Sequence, residues 1–222
     1  NINDWKSTIN QALKLQPEHI SMYGLTIEKN TKFDWMVTEG LMPNPDSDIA
    51  ADMYEYVEKE MYRNGYTHYE ISNWSLPGKE SLHNLTYWYS QEYIGVGAGA
   101  HSFFSGIRFW NVNSPNEYIN LLEKDPLIDN NTEICRGFCA VSEIEDYDDN
   151  TRIADQFILG LRLIEGVNES IFNQSFIDLI SKKYKKEIKE LIDIGLLEIT
   201  NSSIKLTKRG RLLANEVFYK FL

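Results

Sequence analysis

The stretch NDWKSTINQALKLQPEHISMYGLTI, residues 3–27, sets an amphipathic helix directly against a run of strand formers. Trp5, Ile9, Ala12 and Leu13 recur at helical spacing, Pro17 stops the helix, and His19 to Ile27 is rich in residues that favour strands. The same order returns downstream. Ile49, Met53, Val57 and Met61 form the apolar stripe of a second helix ending at Asn64-Gly65, and Tyr66 to Ile71 follows as a short strand. Helix feeding strand, with no hairpin signal between, predicts an α/β fold with parallel pairing. Residues 28–45 hold Gly40, Pro43 and Pro45 and read as a loop. A helix with no strand before it is half of a crossover unit, so the chain reads either as the rear part of a longer protein or as a sheet with one helix docked on it.

Between Ser72 and Trp110 the chain becomes aromatic, with Trp74, Tyr87, Trp88, Tyr89, Tyr93, Phe103, Phe104, Phe109 and Trp110 crowded together. Ser114-Pro115-Asn116-Glu117 then caps a helix through Tyr118, Leu121 and Leu122, and residues 125–150 are polar and irregular, a linker. The rest predicts a helix around Ile153, Phe157, Leu161 and Ile164 and one or two helices from Phe176 to Ile194, stopped by Gly195. A hairpin follows, from Leu196 to Leu206 around Asn201-Ser202-Ser203, and Thr207 caps a last helix with Leu212, Leu213, Val217 and Phe218 inward. Helices followed by a two-stranded wing suggest a winged-helix-like unit. The expected division is 1–112, a connecting helix and linker over 113–150, and a C-terminal domain over 151–222.

Hydrophobic residues make up 42% of the chain and charged ones 25%, the balance of a globular protein. No apolar run is long enough to span a membrane, and Asp4, Lys6, Lys14 and Glu18 interrupt the first twenty residues, so neither a span nor a signal peptide is expected. Two cysteines make no disulfide framework, which favours a reducing cytoplasm. The net charge of −11 divides unevenly: residues 1–150 hold 24 acids and 10 bases, residues 151–222 hold 9 and 12. An acidic chain is a poor neutraliser of phosphates, so no nucleic-acid partner is expected, and the change of sign near residue 150 fits a domain boundary.

Three segments carry chemistry-bearing residues. In HNLTYW, residues 83–88, a helical turn places His83 and Tyr87 on one face with Trp88 beside them; imidazole and phenolate both ligate haem iron, and indole is a flat apolar partner for a porphyrin. A histidine and two aromatics packed under a loop would look the same. In GVGAGAHS, residues 95–102, alternating glycines let backbone approach a ligand, and bare N–H groups there could meet a carboxylate or phosphate; close packing against a neighbouring strand is the other reading. Cys135 and Cys139 are two thiols where a cluster needs three or four, with Ser142 at the position of a third, so no metal is assigned to them. His19 and His68, in predicted strands, read as structural. The acidic run Glu143 to Asp149 and the lysines of 182–189 read as solvated faces.

HISMYGLTIE (19–28), YEISNWS (69–75), Gly78, HNLTYW (83–88), YIGVGAGAHS (93–102), GLRLIEGV (160–167) and LTKRG (206–210) together resemble, in order and spacing, the oxygen-independent coproporphyrinogen III oxidase-like radical SAM proteins in their HemW haem-chaperone branch. The resemblance runs from about Asn3 to Leu222. It implies the C-terminal remnant of a (β/α)6 barrel, with His19 to Ile27 its last strand, followed by the winged-helix-like domain. It further implies haem binding by His83, Asn84, Tyr87 and Trp88, with His83 the metal ligand and Tyr87 and His101 the alternatives, and places Gly97, Gly99 and His101 near S-adenosylmethionine in the longer protein. The motif C-x3-C-x2-C that holds the family's 4Fe-4S cluster is absent from this sequence, so the chain by itself is expected to be non-catalytic.

The leading expectation is therefore a haem- or porphyrin-binding portion of a protein that delivers haem to haem-requiring acceptors. Two others stand beside it: part of an oxidase that decarboxylates coproporphyrinogen III, and a winged-helix protein-binding module. A dimer through the apolar face where a barrel would pack is a further expectation.

Overall fold

A computed structural model of the chain describes residues 1–124, 139–145, 148–200 and 203–222. The Asn1 side chain accepts from the N–H groups of Asn3 and Asp4 and so starts α1, Ile2–Lys14, whose Ile9 is buried. After Pro17 comes β1, His19–Ser21, far shorter than the strand expected to reach Ile27. Met22 N still donates to Ser72 O at 2.8 Å, but beyond it Tyr23 is 69% exposed and Leu25 64%. The 28–45 loop contains an unexpected helix, α2, Lys32–Thr38. Its signal is reciprocal capping: Asp34 N donates to Thr31 Oγ1 at 3.2 Å while the Asp34 carboxylate accepts from Asn30 N at 2.9 Å.

Helix α3, Ser47–Arg63, is capped by Asp46 and leads into β2, Thr67–Glu70, and β3, Asn73–Ser75. The sheet order is β1-β3-β2 and both pairings are antiparallel, which corrects the expected parallel arrangement. The cause is a tight hairpin just after the expected strand Tyr66 to Ile71, with β3 formed by residues not read as strand. Glu70 Oε1 accepts from Ser72 N at 2.8 Å, folding the chain back so that β3 enters between β1 and β2. Ile9, Val57, Met61, Tyr66 and Trp74 make the core beneath this sheet. Ile49, expected in the buried stripe, is 43% exposed; α1 grips α3 one turn later, where Trp5 Nε1 donates to Met53 O at 3.1 Å.

The aromatic middle provides α4, Leu82–Trp88, then β4, His101–Phe104, and β5, Ile107–Asn111, joined through Ser105 and Gly106 with φ of 50° and 72°. Helix α5, Pro115–Lys124, follows the expected Ser114 cap. Val141–Glu145, read as linker, is a strand, β6, completing a sheet of order β4-β5-β6 with Arg108 opposite Glu145.

Beyond it lie α6, Asp149–Leu161, then β7, Val167–Asn168, α7, Gln174–Lys183, and α8, Lys185–Asp193. Gly195, at φ 74°, closes α8 and starts β8, Leu197–Ile199, which pairs with β9, Ser203–Leu206. The turn residues Asn201 and Ser202 lie outside the described residues. β7 adds a third strand, giving the order β7-β9-β8. The expected final helix is two, α9, Lys208–Leu212, and α10, Ala214–Phe218, broken at Leu213. The break leaves Leu212 and Leu213 at 38% and 40% exposure while Val217 and Phe218 stay buried. The large core here gathers Phe157, Leu161, Ile180, Leu191, Leu197 and Val217 with their neighbours. No helix among the described residues is long and apolar enough to cross a membrane.

Candidate functional site

Helix α4 carries His83, and its seven residues are too few to be stable without packing. Ser81 caps it, accepting from Asn84 N at 3.3 Å. The Tyr69 hydroxyl anchors the same end: it bonds His19 Nε2 at 2.8 Å, receives Ser81 N at 3.4 Å, and meets the Asn84 side chain. Burial raises the Tyr69 phenol above its ordinary range, so it stays protonated here. His19 is thus structural, as is His68, stacked on Trp74 at 4.2 Å. Asn84, expected to touch the ligand, sits against this anchor.

The two faces of α4 diverge. His83 is exposed, and neither of its ring nitrogens has a hydrogen-bond partner among the described residues. Its ring stands edge-on to Tyr87, 4.9 Å between centroids, and Tyr87 is edge-on to Tyr93 at 4.6 Å. Tyr93 in turn bridges Phe103 of β4 through two backbone hydrogen bonds of 2.8 and 2.9 Å. Tyr87, Tyr93, Phe103 and Arg152 wall a cleft of about 110 Å³. That is well below the several hundred Å³ of a small-molecule pocket, and His83 is not among the residues that wall it. A larger concavity, about 450 Å³, is lined by Glu165, Asn168, Thr200, Ser203 and Lys205 and has no ring to stack on a porphyrin.

Trp88 does not share the His83 face. It lies with Leu85 and Tyr89 against the C-terminal core, and the Arg162 guanidinium covers its ring at 4.4 Å. Five residues on a helix turn a side chain through about 140°, which is why the motif splits. Sequence reasoning missed Arg162; its signal was a charge between apolar Leu161 and Leu163.

In the glycine segment the N–H groups of the three glycines are occupied. Gly95 N donates to Ser102 Oγ at 2.9 Å, Gly97 N to the Tyr118 hydroxyl at 3.2 Å, and Gly99 N to Val112 O at 2.8 Å. The bare amides expected for an anion cradle are therefore not available at these three glycines. His101 is exposed on β4, 5.2 Å from Trp110 and on the same side of the strand as Phe103. The loop is tight: a Cβ at Gly95 would lie 2.1 Å from the His101 carbonyl oxygen. Gly95→Ala is expected to cost about 1–3 kcal/mol by forcing the backbone apart, read as a lower urea midpoint.

A second group missed by the sequence joins the two halves of the chain. Arg211 Nη2 pairs with Glu58 Oε1 at 2.5 Å, with the two side chains 10% and 14% exposed, and His68 Nδ1 lies 3.5 Å from the same oxygen. Tyr54 OH donates to Ile71 O at 3.0 Å, and burial pushes its phenol up. Burial would raise the Glu58 carboxyl too, but the hydrogen bonds from His68 and Arg211 and their charge outweigh it and hold Glu58 down at about 2.

Among the described residues no three His, Cys, Asp or Glu side chains converge as a metal site. Cys135 lies outside the described residues, and two cysteines in the whole chain do not fit an iron–sulfur cluster. A haem asks less, one imidazole and a flat apolar neighbour, and His83 with Tyr87 fits that demand.

Residues 147–213 match the family model of the HemN C-terminal domain. The chain is 37% identical over 217 residues to "Heme chaperone HemW" of Lactococcus lactis, covering 98% of this chain and 54% of that protein. It is 35% identical over 215 residues to the protein of the same name in Bacillus subtilis, 97% of this chain and 54% of that one. A solved structure described as "Coproporphyrinogen III oxidase (HemN) from Escherichia coli is a Radical SAM enzyme" shares the fold at a TM-score of 0.69 and 15% identity, over 99% of this chain and 51% of that one. The chain thus spans about half the length of the relatives it matches. On these matches residues 147–213 are a HemN C-terminal domain, and the chain over nearly its whole length is similar to the HemW heme chaperones.

Proposed function

We propose that this chain binds haem through His83 and serves in haem delivery, the role named for its HemW relatives. The observation that carries the reading is His83 itself: an exposed imidazole without a hydrogen-bond partner among the described residues, held edge-on to Tyr87 at the end of a line of rings. Haem, if bound, would supply an iron for which the His83 imidazole is a suitable nitrogen donor. The chain's own contribution is to present that nitrogen, with Tyr87 bordering the porphyrin and Asn84 fixing the start of the helix. Trp88 supports the helix from behind.

In the same reading β1 and α1 are the remnant of a (β/α)6 barrel, and the β7-β9-β8 sheet with α7 and α8 is winged-helix-like. Gly97, Gly99 and His101 border S-adenosylmethionine only in the longer protein, which also supplies the cluster. Haem-requiring acceptor proteins in the cytoplasm are the partners, and the exposed Tyr23 and Leu25 belong to the face through which the isolated chain would dimerise.

Haemin titration, followed by the Soret band under reducing and oxidising conditions, tests the reading. The chain is expected to form a 1:1 complex, with His83→Ala weakening it by about tenfold or more. Equal binding by both proteins would refute axial ligation by His83.

A further inference from the structure

Resting on that haem reading, we propose that Arg162 is a positioning residue for the haem ligand: it clamps Trp88 from the C-terminal domain and so sets where His83 stands. Three residues after α6 are stitched onto the open edge of β2. Ile71 N donates to Arg162 O and Ile164 N to Tyr69 O, both at 3.1 Å, and Leu163 bridges Glu70. The stitch covers an edge that would otherwise be exposed and fixes the Arg162 backbone. Its guanidinium then lies between two partners. One is the Trp88 ring, 4.4 Å from Cζ to centroid; the other is Glu70, fully buried, whose Oε2 is 3.9 Å from Arg162 Nη2.

The carboxylate is itself held. Glu70 Oε1 accepts from Ser72 N and from Asn73 Nδ2, while Oε2 has no hydrogen-bond partner among the described residues and faces the guanidinium. The hairpin turn, Glu70, Arg162 and Trp88 thus form one chain of contacts from the sheet to the last residue of α4. A planar cation flat on indole fixes the angle of the ring as well as its distance, which a lysine point charge does less well. Trp88 lies five residues from His83, about 7.5 Å along a helix axis. In a helix of seven residues, a tilt at the tryptophan is carried to the histidine.

The experiment compares the full chain with Glu70→Gln/Arg162→Met, which removes the buried carboxylate charge together with the half-buried cation facing it, and with Arg162→Lys, which keeps a cation. Amide hydrogen exchange is read in residues 82–89 and in α7 and α8, without haem, and haemin affinity is read beside it. The expected result is about tenfold faster exchange in 82–89, slower-exchanging α7 and α8 unchanged, about tenfold weaker haemin binding, and only part of both losses recovered in Arg162→Lys, which keeps the charge and loses the planar contact. Unchanged exchange in 82–89 overturns the proposal. So does exchange that rises equally in α7 and α8, since that is general loosening. If the unaltered chain binds no haemin, the haem reading fails, and exchange in 82–89 still decides the clamp.

Discussion

Replacing Phe157 by alanine is expected to lower stability by about 3–5 kcal/mol, the cost of deleting a buried phenyl ring and leaving its cavity. Phe157 on α6 is fully buried and meets Phe221 at 4.8 Å and Tyr184 at 6.1 Å, while Tyr184 and Phe221 meet each other at 5.2 Å. The three rings fasten α6, the α7–α8 junction and the end of the chain to one another. Each is held by the other two, so neighbours can collapse little into the gap and the loss falls at the upper end of the range. Since α4 also packs on α6, His83 is expected to lose its support in the same unfolding step. Urea denaturation checks this; a midpoint lowered by less than 1 kcal/mol equivalent would mean the ring triad is loose.

Arg211→Met carries the second large effect, about 3–5 kcal/mol, because it strands the Glu58 carboxylate in a site from which most water is excluded. The partners are 153 residues apart, so the pair fastens α9 to α3. It also makes stability depend on acid. The Glu58 carboxyl is held at about 2 against an ordinary 4.5, so its contribution is complete above pH 4.5 and is lost as the pH falls through about 2. That shift corresponds to roughly 3 kcal/mol. In Arg211→Met the unfolding curve is expected to flatten between pH 4.5 and 2 relative to the parent. Parallel pH profiles in the two proteins would show that Arg211 is not what holds the carboxylate ionised.

The same two groups show what periodicity reveals. Phe157, Leu161, Val217 and Phe218 were legible as core because helical spacing forces one face inward wherever the helix packs. The capped starts at Ser114 and Thr207 were legible because a cap is satisfied within four residues. The β2–β3 hairpin was not: a buried glutamate's carboxylate makes that turn, and a charged residue next to Ile71 reads as strand polarity. Val141–Glu145 was missed for a related reason. Its Val-Ser-Glu-Ile-Glu alternation is weak, and only β5 supplies the partner that makes it a strand.

At the candidate site the sequence by itself determined that His83 and Tyr87 stand together, because four residues on a helix is a covalent fact of spacing. It determined as well the helix starts capped by Ser114 and Thr207 and core residues such as Phe157, Leu161, Val217 and Phe218. Only the tertiary structure decided that Trp88 turns away to Arg162, that the glycine amides are already occupied, and that β3 enters between β1 and β2. Each of those depends on a partner distant in the chain or on which side of a helix meets the core. Local propensity is silent about such contacts because their energy exists only once both partners have been brought together and dehydrated.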